Sequence, residues 1–262
     1  MDKKVSLCFI ISYKQIVNKE ELWKSWIEPN KDIINVYFHY KDFTTISSPW
    51  IKAHCIPSQL CVPTTYYNVV PAYMSVLSYA LCQDLKNQWF CLLTEACVPI
   101  ISPIKFRELF FSNSYKSILK NDYAHWNVHH HKRANLRLLT PEYRIKHDPW
   151  FVLKREDVLA CFNYLKVNRA IYKTICDGII ANESVFAIML KAQGLLEDVI
   201  NSSTHATDWD RKTSPTSPYL FNNYTDYDVD FIKNYLEKNK YTMFLRKVGP
   251  LFPDEIIKSF WN

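Results

Sequence analysis

Three apolar runs separated by two helical patterns fill the first hundred residues and constrain the fold more than any other feature of the chain. The runs VSLCFIIS, IINVYFHY and WFCLL are typical of buried strands, whereas NKEELWKSWI and PAYMSVLSYALCQDL carry apolar residues at helical spacing. Strands that alternate with helices pack as an α/β layer. We therefore predict an α/β fold with a mixed, mainly parallel central sheet flanked by helices.

The ends of these strands are the predicted places for chemistry. In a largely parallel sheet, ligands bind beyond the carboxyl ends of the strands. The segments HYKD and TEACVP each follow directly on such a strand.

The remainder of the chain continues the mixture of helices and strands. Helices are predicted at SPIKFRELFF, EDVLACFNYL and DVDFIKNYLEK, the last capped by Asp228, and strands at PWFVLKRE and YTMFLRKV. Residues 201–217 are predicted to be a weakly structured linker. Because no internal repeat is evident, we predict a single domain over residues 1–262.

Composition narrows the class of protein. A hydrophobic content of 48% with 22% charged residues is that of a globular chain, so disorder is not expected. The net charge of +6 is spread along the chain without a Lys/Arg block, which argues against a nucleic-acid partner. The same charge suits an anionic ligand such as a nucleotide.

The cysteines and the amino-terminal segment bear on location. The eight cysteines form no CxxC pair, which leaves zinc and thioredoxin-like chemistry unsupported. Reduced thiols are the simpler interpretation, with disulfides as the alternative. The apolar run from Val5 to Ile11 is barely long enough for a signal peptide, no cleavage site follows it, and no stretch reaches the length of a membrane span. We expect a cytoplasmic protein.

Two segments suggest a metal site, but each has a simpler explanation. His129, His130 and His131 are adjacent, and adjacent residues point in different directions, so a polar loop explains them better than a shared ion. The segment DYDVD imitates a metal-binding Asp-x-Asp, yet its place before a helix favours N-capping. We predict no metal and no cofactor.

Glu183 is the most unusual charge in the sequence. It stands in CDGIIANESVFAIML, before apolar residues that cover most of a helix circumference, and burying an ionised carboxylate is costly. One interpretation is structural: Asn182 caps the helix and the helix dipole favours Glu183. The other is that Glu183 carries chemistry.

A resemblance to a known family favours the second interpretation. The segments VYFHYKD, YYNVVPAYMSVLSYAL, WFCLLTEACVPIISP, DPWFVLKREDVLACF, CDGIIANESVFAIML, TDWDRK and YTMFLRKVGP occur in the order found in the Core-2/I-branching glycosyltransferases of family 14, especially the plant-type branch. The resemblance implies a GT-A-like nucleotide-sugar transferase fold. It also implies inverting, metal-independent transfer from a UDP-sugar to the hydroxyl of a glycan or glycoprotein, with a nucleotide-binding half at 1–100 and an acceptor-binding and catalytic half at 101–262.

The resemblance also implies roles for single residues. Glu183 falls on the family's Asp-Glu motif, whose Glu takes the proton from the acceptor hydroxyl. Lys247, Arg211 and Arg246 would neutralise the leaving diphosphate in place of a metal. His39, Asp42 and Tyr66 would bind the nucleotide, and Glu95, Trp126, Arg133, Asp208 and Trp209 would bind the sugar or the acceptor.

Departures from the family pattern leave the substrates open. Asn182 replaces the family's Asp, and Ser184 replaces its usual His or Tyr. GlcNAc or xylose is the expected sugar. The alternative function is a glycan-binding module that has kept the fold and lost turnover, although the presence of Glu183 and Lys247 argues against it.

Overall fold

Strands and helices alternate along the chain in the computed structural model, which describes residues 3–12, 14–212 and 214–261. The described elements are, in chain order, β1 (Lys4–Ile10), α1 (Glu20–Ile27), β2 (Ile34–His39), α2 (Pro49–Ala53), α3 (Val70–Gln83), β3 (Asn87–Thr94), β4 (Cys97–Pro99), α4 (Pro103–Asn113), β5 (Asn121–Tyr123), β6 (Ile145–His147), β7 (Val152–Lys154), α5 (Arg155–Val167), α6 (Arg169–Cys176), α7 (Val185–Lys191), β8 (His205–Thr207), α8 (Asp226–Lys238), β9 (Phe244–Arg246) and α9 (Asp254–Lys258).

The central sheet has the order β2–β1–β3–β7. Strand β1 pairs in parallel with both β2 and β3, and β7 is antiparallel to β3. Both faces of β1 and β3 are buried, in two separate clusters of apolar side chains, as the near-continuous apolar runs require. The predicted α/β class and the mainly parallel sheet are confirmed.

Helix α1 fixes the loop after β3 against the sheet. Its residues Leu22, Trp23 and Trp26 are buried, which follows from their helical spacing. The indole nitrogen of Trp23 donates to the carbonyl of Cys97 at 2.9 Å, and that of Trp26 donates to the carbonyl of Ile101 at 2.8 Å. The large rings therefore pack in the core while their N–H groups hold the segment that begins with TEACVP.

A second sheet, in the order β4–β9–β8, joins the segment after β3 to the carboxyl-terminal part of the chain. Strand β8 lies within residues 201–217, so the prediction of a weakly structured linker there is wrong for residues 205–207, and residue 213 of that segment lies outside the described residues. Three residues are too few to show a period of two in the sequence, and β8 is held by its parallel pairing with β9. This pairing brings His205 and Arg246 towards the ends of the central strands.

The chain around Glu183 folds differently from the predicted capped helix. Residues Ala181–Glu183 form a 3₁₀ turn, and α7 begins only after Ser184, so Asn182 is not its N-cap. Ile180 adopts a left-handed conformation (φ 55°), which is rare for a β-branched residue and turns the chain before Glu183. Residues 185–190 are all buried, as their apolar pattern predicts.

Helix α8 begins at Asp226, earlier than the prediction of Asp228 as the cap. Thr225 and Asp228 form a reciprocal capping box, in which Asp228 is the third helical residue. Within the described residues, no helix combines the length and the apolar content that crossing a bilayer requires.

Candidate active site

One large cavity opens at the carboxyl ends of the parallel strands. It measures about 820 Å³, within the range of about 300–1,000 Å³ that is typical of ligand sites. The ends of β1, β2 and β3 form one side, and residues 145–150, 180–183 and 205–218 contribute to the others. Lys41 of HYKD and Glu95 of TEACVP both line it, so both segments that the topology singled out meet at this cavity.

Glu183 lines the cavity in the company of two cations and one carboxylate. Its Oε2 lies 3.5 Å from Nη1 of Arg133, and its side chain is 31% exposed. Burial raises the pKa of Glu183, the charges of Arg133 and Lys146 lower it, and the carboxylate of Asp148 raises it. Because burial is the largest of these effects, the pKa lies above its ordinary value.

Arg133 is held in place from the protein side. Its guanidinium stacks on the ring of Trp126 at 4.9 Å, and its backbone pairs with Ile179 just before the turn that carries Glu183. Arg133 lines the cavity, whereas Trp126 supports Arg133 from outside the lining. Two of the five residues predicted to bind the sugar or the acceptor, Trp126 and Arg133, thus lie together, with Arg133 beside the predicted base.

Arg246 lines the cavity next to the end of β3. Its Nη1 donates to Oγ1 of Thr94 at 2.7 Å, and its guanidinium lies 4.6 Å from the ring centre of Trp150. Thr94, Glu95 and Arg246 all line the cavity. A cation fixed by a hydroxyl and an aromatic face is preorganised to meet negative charge.

Lys247 is half-buried and follows Arg246 in the chain. Burial lowers its pKa, the neighbouring charge of Arg246 lowers it further, and Glu95 opposes both effects. Arg246 belongs to the cavity lining and Lys247 does not. The diphosphate-binding role of Lys247 stays a prediction.

Arg211 is bound within the protein by two carboxylates. Its Nε donates to Oδ2 of Asp208 at 2.6 Å, and its Nη2 donates to Oδ1 of Asp228 at 2.8 Å. The guanidinium also lies over the rings of Tyr219, at 3.9 Å, and Tyr227, at 4.3 Å. Asp208 and Arg211 do not line the cavity, although the adjacent, half-exposed Trp209 does.

The residues predicted to bind the nucleotide are distributed unevenly. Tyr66 lines the cavity, and its hydroxyl donates to the carbonyl of Thr216, another lining residue, at 3.1 Å. The carboxylate of Asp42 is exposed and accepts from the backbone N–H and the hydroxyl of Thr44. His39 is buried, and its Nε2 accepts from the N–H of Val62 at 3.2 Å. Burial lowers the pKa of His39 to about 4.

The sequence prediction missed several residues that line the cavity. These are the cations Lys41, Lys146 and Lys212, the carboxylate Asp148, and the histidines His125, His147 and His205. A partial signal existed in RIKHDPW, where cationic, imidazole and carboxylate groups crowd before a strand. Lys146 and Asp148 come close to Glu183 only because β5 and β6 pair, and strands this short and polar cannot be recognised from a sequence pattern.

The segments considered as metal ligands have other partners or surroundings. Asp228 binds Arg211 and caps α8, Asp226 accepts from the hydroxyl of Tyr224 at 2.7 Å, and the run from His129 to His131 is exposed. Across residues 3–12, 14–212 and 214–261, there is no group of three or more His, Cys, Asp or Glu side chains arranged to hold a metal ion.

A mainly parallel α/β sheet with a carboxylate and several cations around one cavity at its carboxyl edge matches the GT-A-like class of nucleotide-sugar transferases. The family model of the Core-2/I-branching enzyme matches residues 7–234, and the chain therefore belongs to that family. A search of curated proteins finds no match. The family is one of glycosyltransferases, so the chain is an enzyme with a nucleotide-sugar donor and a glycan acceptor.

Proposed function

We propose that the chain is an inverting, metal-independent transferase that moves GlcNAc or xylose from a UDP-sugar to a glycan hydroxyl. The observation that carries this proposal is the set of charges around one cavity, which is lined by Glu183, with its raised pKa, and by the cations Arg246, Lys41 and Lys212. Inverting transfer needs a base at the acceptor and positive charge at the leaving group, both within reach of one sugar.

In the proposed reaction, Glu183 takes the proton of the acceptor hydroxyl while that oxygen attacks the anomeric carbon. The bond from this carbon to the diphosphate breaks on the opposite face, and UDP leaves with the electron pair. The raised pKa of Glu183 suits the task, because a base works best when its pKa approaches the working pH. Arg133, at 3.5 Å, orients the carboxylate.

The leaving diphosphate needs compensation for its developing charge. Arg246 is the cation best prepared for it, since Thr94 and Trp150 fix its guanidinium at the cavity. Lys247, the next residue along the chain after Arg246, adds positive potential from a half-buried position, and Lys41 and Lys212 contribute at the lining. Membership of the plant-type branch is proposed from the quoted segments alone.

A cytoplasmic location is part of the proposal. It is supported by the eight cysteines, all of them free thiols in the described residues. Reduced thiols in this number are usual in a reducing compartment.

The test is an assay of transfer from UDP-GlcNAc and from UDP-xylose to glycan acceptors, in which the released UDP is measured. Glu183→Gln keeps the shape of the side chain but cannot accept a proton, so transfer should fall by about 10²–10⁴-fold. UDP affinity, measured by calorimetry, should stay unchanged. Glu197→Gln, on an exposed turn, is the matched control and should act like the unaltered protein.

Two results would contradict the proposal in different ways. Near-normal transfer by Glu183→Gln would remove Glu183 from the mechanism. Binding of UDP-sugars and glycans without any turnover would instead favour the glycan-binding module.

A further inference from the structure

Asp148 is a second carboxylate at the cavity, and the reaction described above gives it no contact with a substrate. It follows directly on β6 and lines the cavity together with Glu183. The two side chains are close enough for the charge of Asp148 to raise the pKa of Glu183. A sugar ring carries several hydroxyls, so a ring that presents one of them to Glu183 can present another to Asp148.

Asp148 is fixed by hydrogen bonds to residues outside the cavity and to its own neighbour. Its backbone N–H donates to the carbonyl of Lys120 at 2.9 Å, and its own carbonyl accepts from Nδ1 of His147 at 2.7 Å. Its Oδ2 accepts from the hydroxyl of Ser203 at 2.6 Å. Ser203 does not line the cavity, so this bond turns Oδ2 towards the protein. The carboxylate is thus preorganised before any ligand binds.

The other carboxylate oxygen of Asp148 is accessible and has no donor. Within residues 3–12, 14–212 and 214–261, Oδ1 accepts no hydrogen bond, and it is not one of the buried polar atoms that lack a partner. An oxygen that lacks a partner and is not buried has open surface. Because Asp148 lines the cavity and its Oδ2 turns away, Oδ1 is the oxygen that a ligand in the cavity can reach.

Charges of both signs line the cavity near Asp148. They are the carboxylate of Glu183 and the cations Arg133 and Lys146, and the charge of Lys146 lowers the pKa of both Asp148 and Glu183. An anionic ring would be repelled by the two carboxylates, and a cationic ring by the two cations. A hydroxyl group can donate to a carboxylate and accept from a cation. The set therefore favours a neutral, hydroxyl-bearing ring.

We propose that Oδ1 of Asp148 accepts a hydrogen bond from a second hydroxyl of the acceptor sugar whose first hydroxyl is activated by Glu183. Asp148 is thus a specificity-determining residue, and the acceptor unit is a neutral ring with a free hydroxyl besides the attacking one. This inference rests on the proposed function, because it takes Glu183 to mark the acceptor side of the cavity. Ser203 is a positioning residue that acts through Asp148.

The first test detects the contact in the unaltered protein by NMR. Aspartate labelled with ¹³C at the side-chain carboxyl gives a signal for Asp148, identified as the one that Asp148→Asn removes. The probes are methyl β-galactoside, methyl β-glucoside and methyl β-xyloside, each added in the presence of UDP. At least one of them should shift the Asp148 signal, which UDP alone should leave in place. No shift with any of the three glycosides, or the same shift with UDP alone, would overturn the proposal.

The second test removes the hydroxyl and the carboxylate in turn. Deoxy forms of the best glycoside are assayed well above the pKa of Glu183, so that the effect of Asp148 on that pKa no longer contributes. Loss of one hydroxyl should abolish transfer, and loss of the second should raise KM for the acceptor about 10- to 100-fold. The second loss should cost much less in Asp148→Asn, and KM for the UDP-sugar should not change. If Asp148→Asn unfolds, Ser203→Ala replaces it, since it frees the carboxylate and should also raise KM for the acceptor alone.

Asp122→Asn is the matched control, because Asp122 is an exposed carboxylate of β5, opposite Lys146, and lies outside the cavity lining. Its KM for the acceptor should not change. Equal costs of the second deoxy change in Asp148→Asn and in the unaltered protein, or better transfer to methyl β-glucuronide than to methyl β-glucoside, would refute the proposal. Turnover is scored separately: a signal that shifts without any transfer would refute the proposed function and leave the contact of Asp148 standing.

Discussion

Replacing Arg211 by Met separates two roles for this cation, one in ligand binding and one in stability. The resemblance assigns Arg211 to the diphosphate, whereas the structure gives it two carboxylate partners, Asp208 and Asp228, whose side chains are 1% and 0% exposed. Arg211→Met keeps the length of the side chain and its contact with Tyr219 and Tyr227, but removes the charge.

The expected loss can be worked out from these contacts. Two charge-assisted hydrogen bonds disappear, each worth about 1.5–3 kcal/mol. The carboxylates keep other donors: Asp208 still accepts from the N–H groups of Asp210 and residue 211, and Asp228 from that of Thr225. These donors limit the penalty for the charges left behind. The free energy of unfolding should therefore fall by about 3–5 kcal/mol, the usual result of breaking a buried ion pair from one side.

Urea denaturation of the variant and the unaltered protein measures this loss, and Arg211→Met combined with Asp228→Asn is the matched control. Removing the charge of Asp228 as well as that of Arg211 should recover part of the lost stability, because the two side chains are in direct contact. A loss below about 1 kcal/mol, accompanied by a large loss of UDP affinity, would refute the structural role and restore the predicted diphosphate contact.

Three further predictions concern the need for a metal, the pH dependence of transfer and the state of the cysteines. Transfer should persist in EDTA, and loss of transfer in EDTA with recovery on addition of Mn²⁺ would contradict the metal-independent mechanism. Arg246→Gln or Lys247→Ala should weaken UDP affinity and also lower turnover. The loss of transition-state stabilisation should be about 3–4 kcal/mol, as when one oxyanion donor is lost. The profile of kcat/KM should rise with pH through the raised pKa of Glu183, because only the ionised form accepts a proton. Arg133→Gln should raise the pKa of Glu183 and move the rise in kcat/KM to higher pH, whereas Asp148→Asn should move it to lower pH. If neither variant shifts the pH profile, Arg133 and Asp148 do not act on the pKa of Glu183. All eight thiols should react under denaturing, non-reducing conditions, and a smaller number would speak for an oxidising compartment.

Local periodicity accounts for what could be predicted of the fold. The strands β1, β2 and β3 and the helices α1, α3, α4 and α5 all appear near their predicted places, because each carries its apolar pattern within its own segment. The short strands β4 and β8 carry no such pattern, and β8 was mistaken for a linker. Their stability comes from pairing with β9, at a distance along the chain that a local pattern does not encode.

In the candidate site, too, the sequence predicts the residues that are unusual within their own segment and misses those that act only after distant segments have paired. Glu183 stood out as a charge in an apolar segment, and Glu95 as a carboxylate after a strand. Lys146 did not stand out, because its charge acts on Glu183 only after β5 and β6 have paired. Arg211 pairs with Asp208, three residues before it, and with Asp228, 17 residues after it, and the second partner is one that no local pattern encodes.

The environment of Glu183 answers a question that the sequence left open, whether burial or the helix would control its pKa. Glu183 precedes α7 in a separate turn, and the effects that act on it are burial, two cations and one carboxylate, with burial the largest. Burial alone would favour a neutral carboxyl that cannot act as a base, and full pairing with Arg133 and Lys146 would give a carboxylate too weakly basic to take a proton. The 3.5 Å contact with Arg133 is longer than a tight ion pair, so it orients the carboxylate while leaving an oxygen for the acceptor hydroxyl. Once Glu183 is protonated, its negative charge no longer balances the positive charges of Arg133 and Lys146. This imbalance favours release of the proton to solvent before the next cycle.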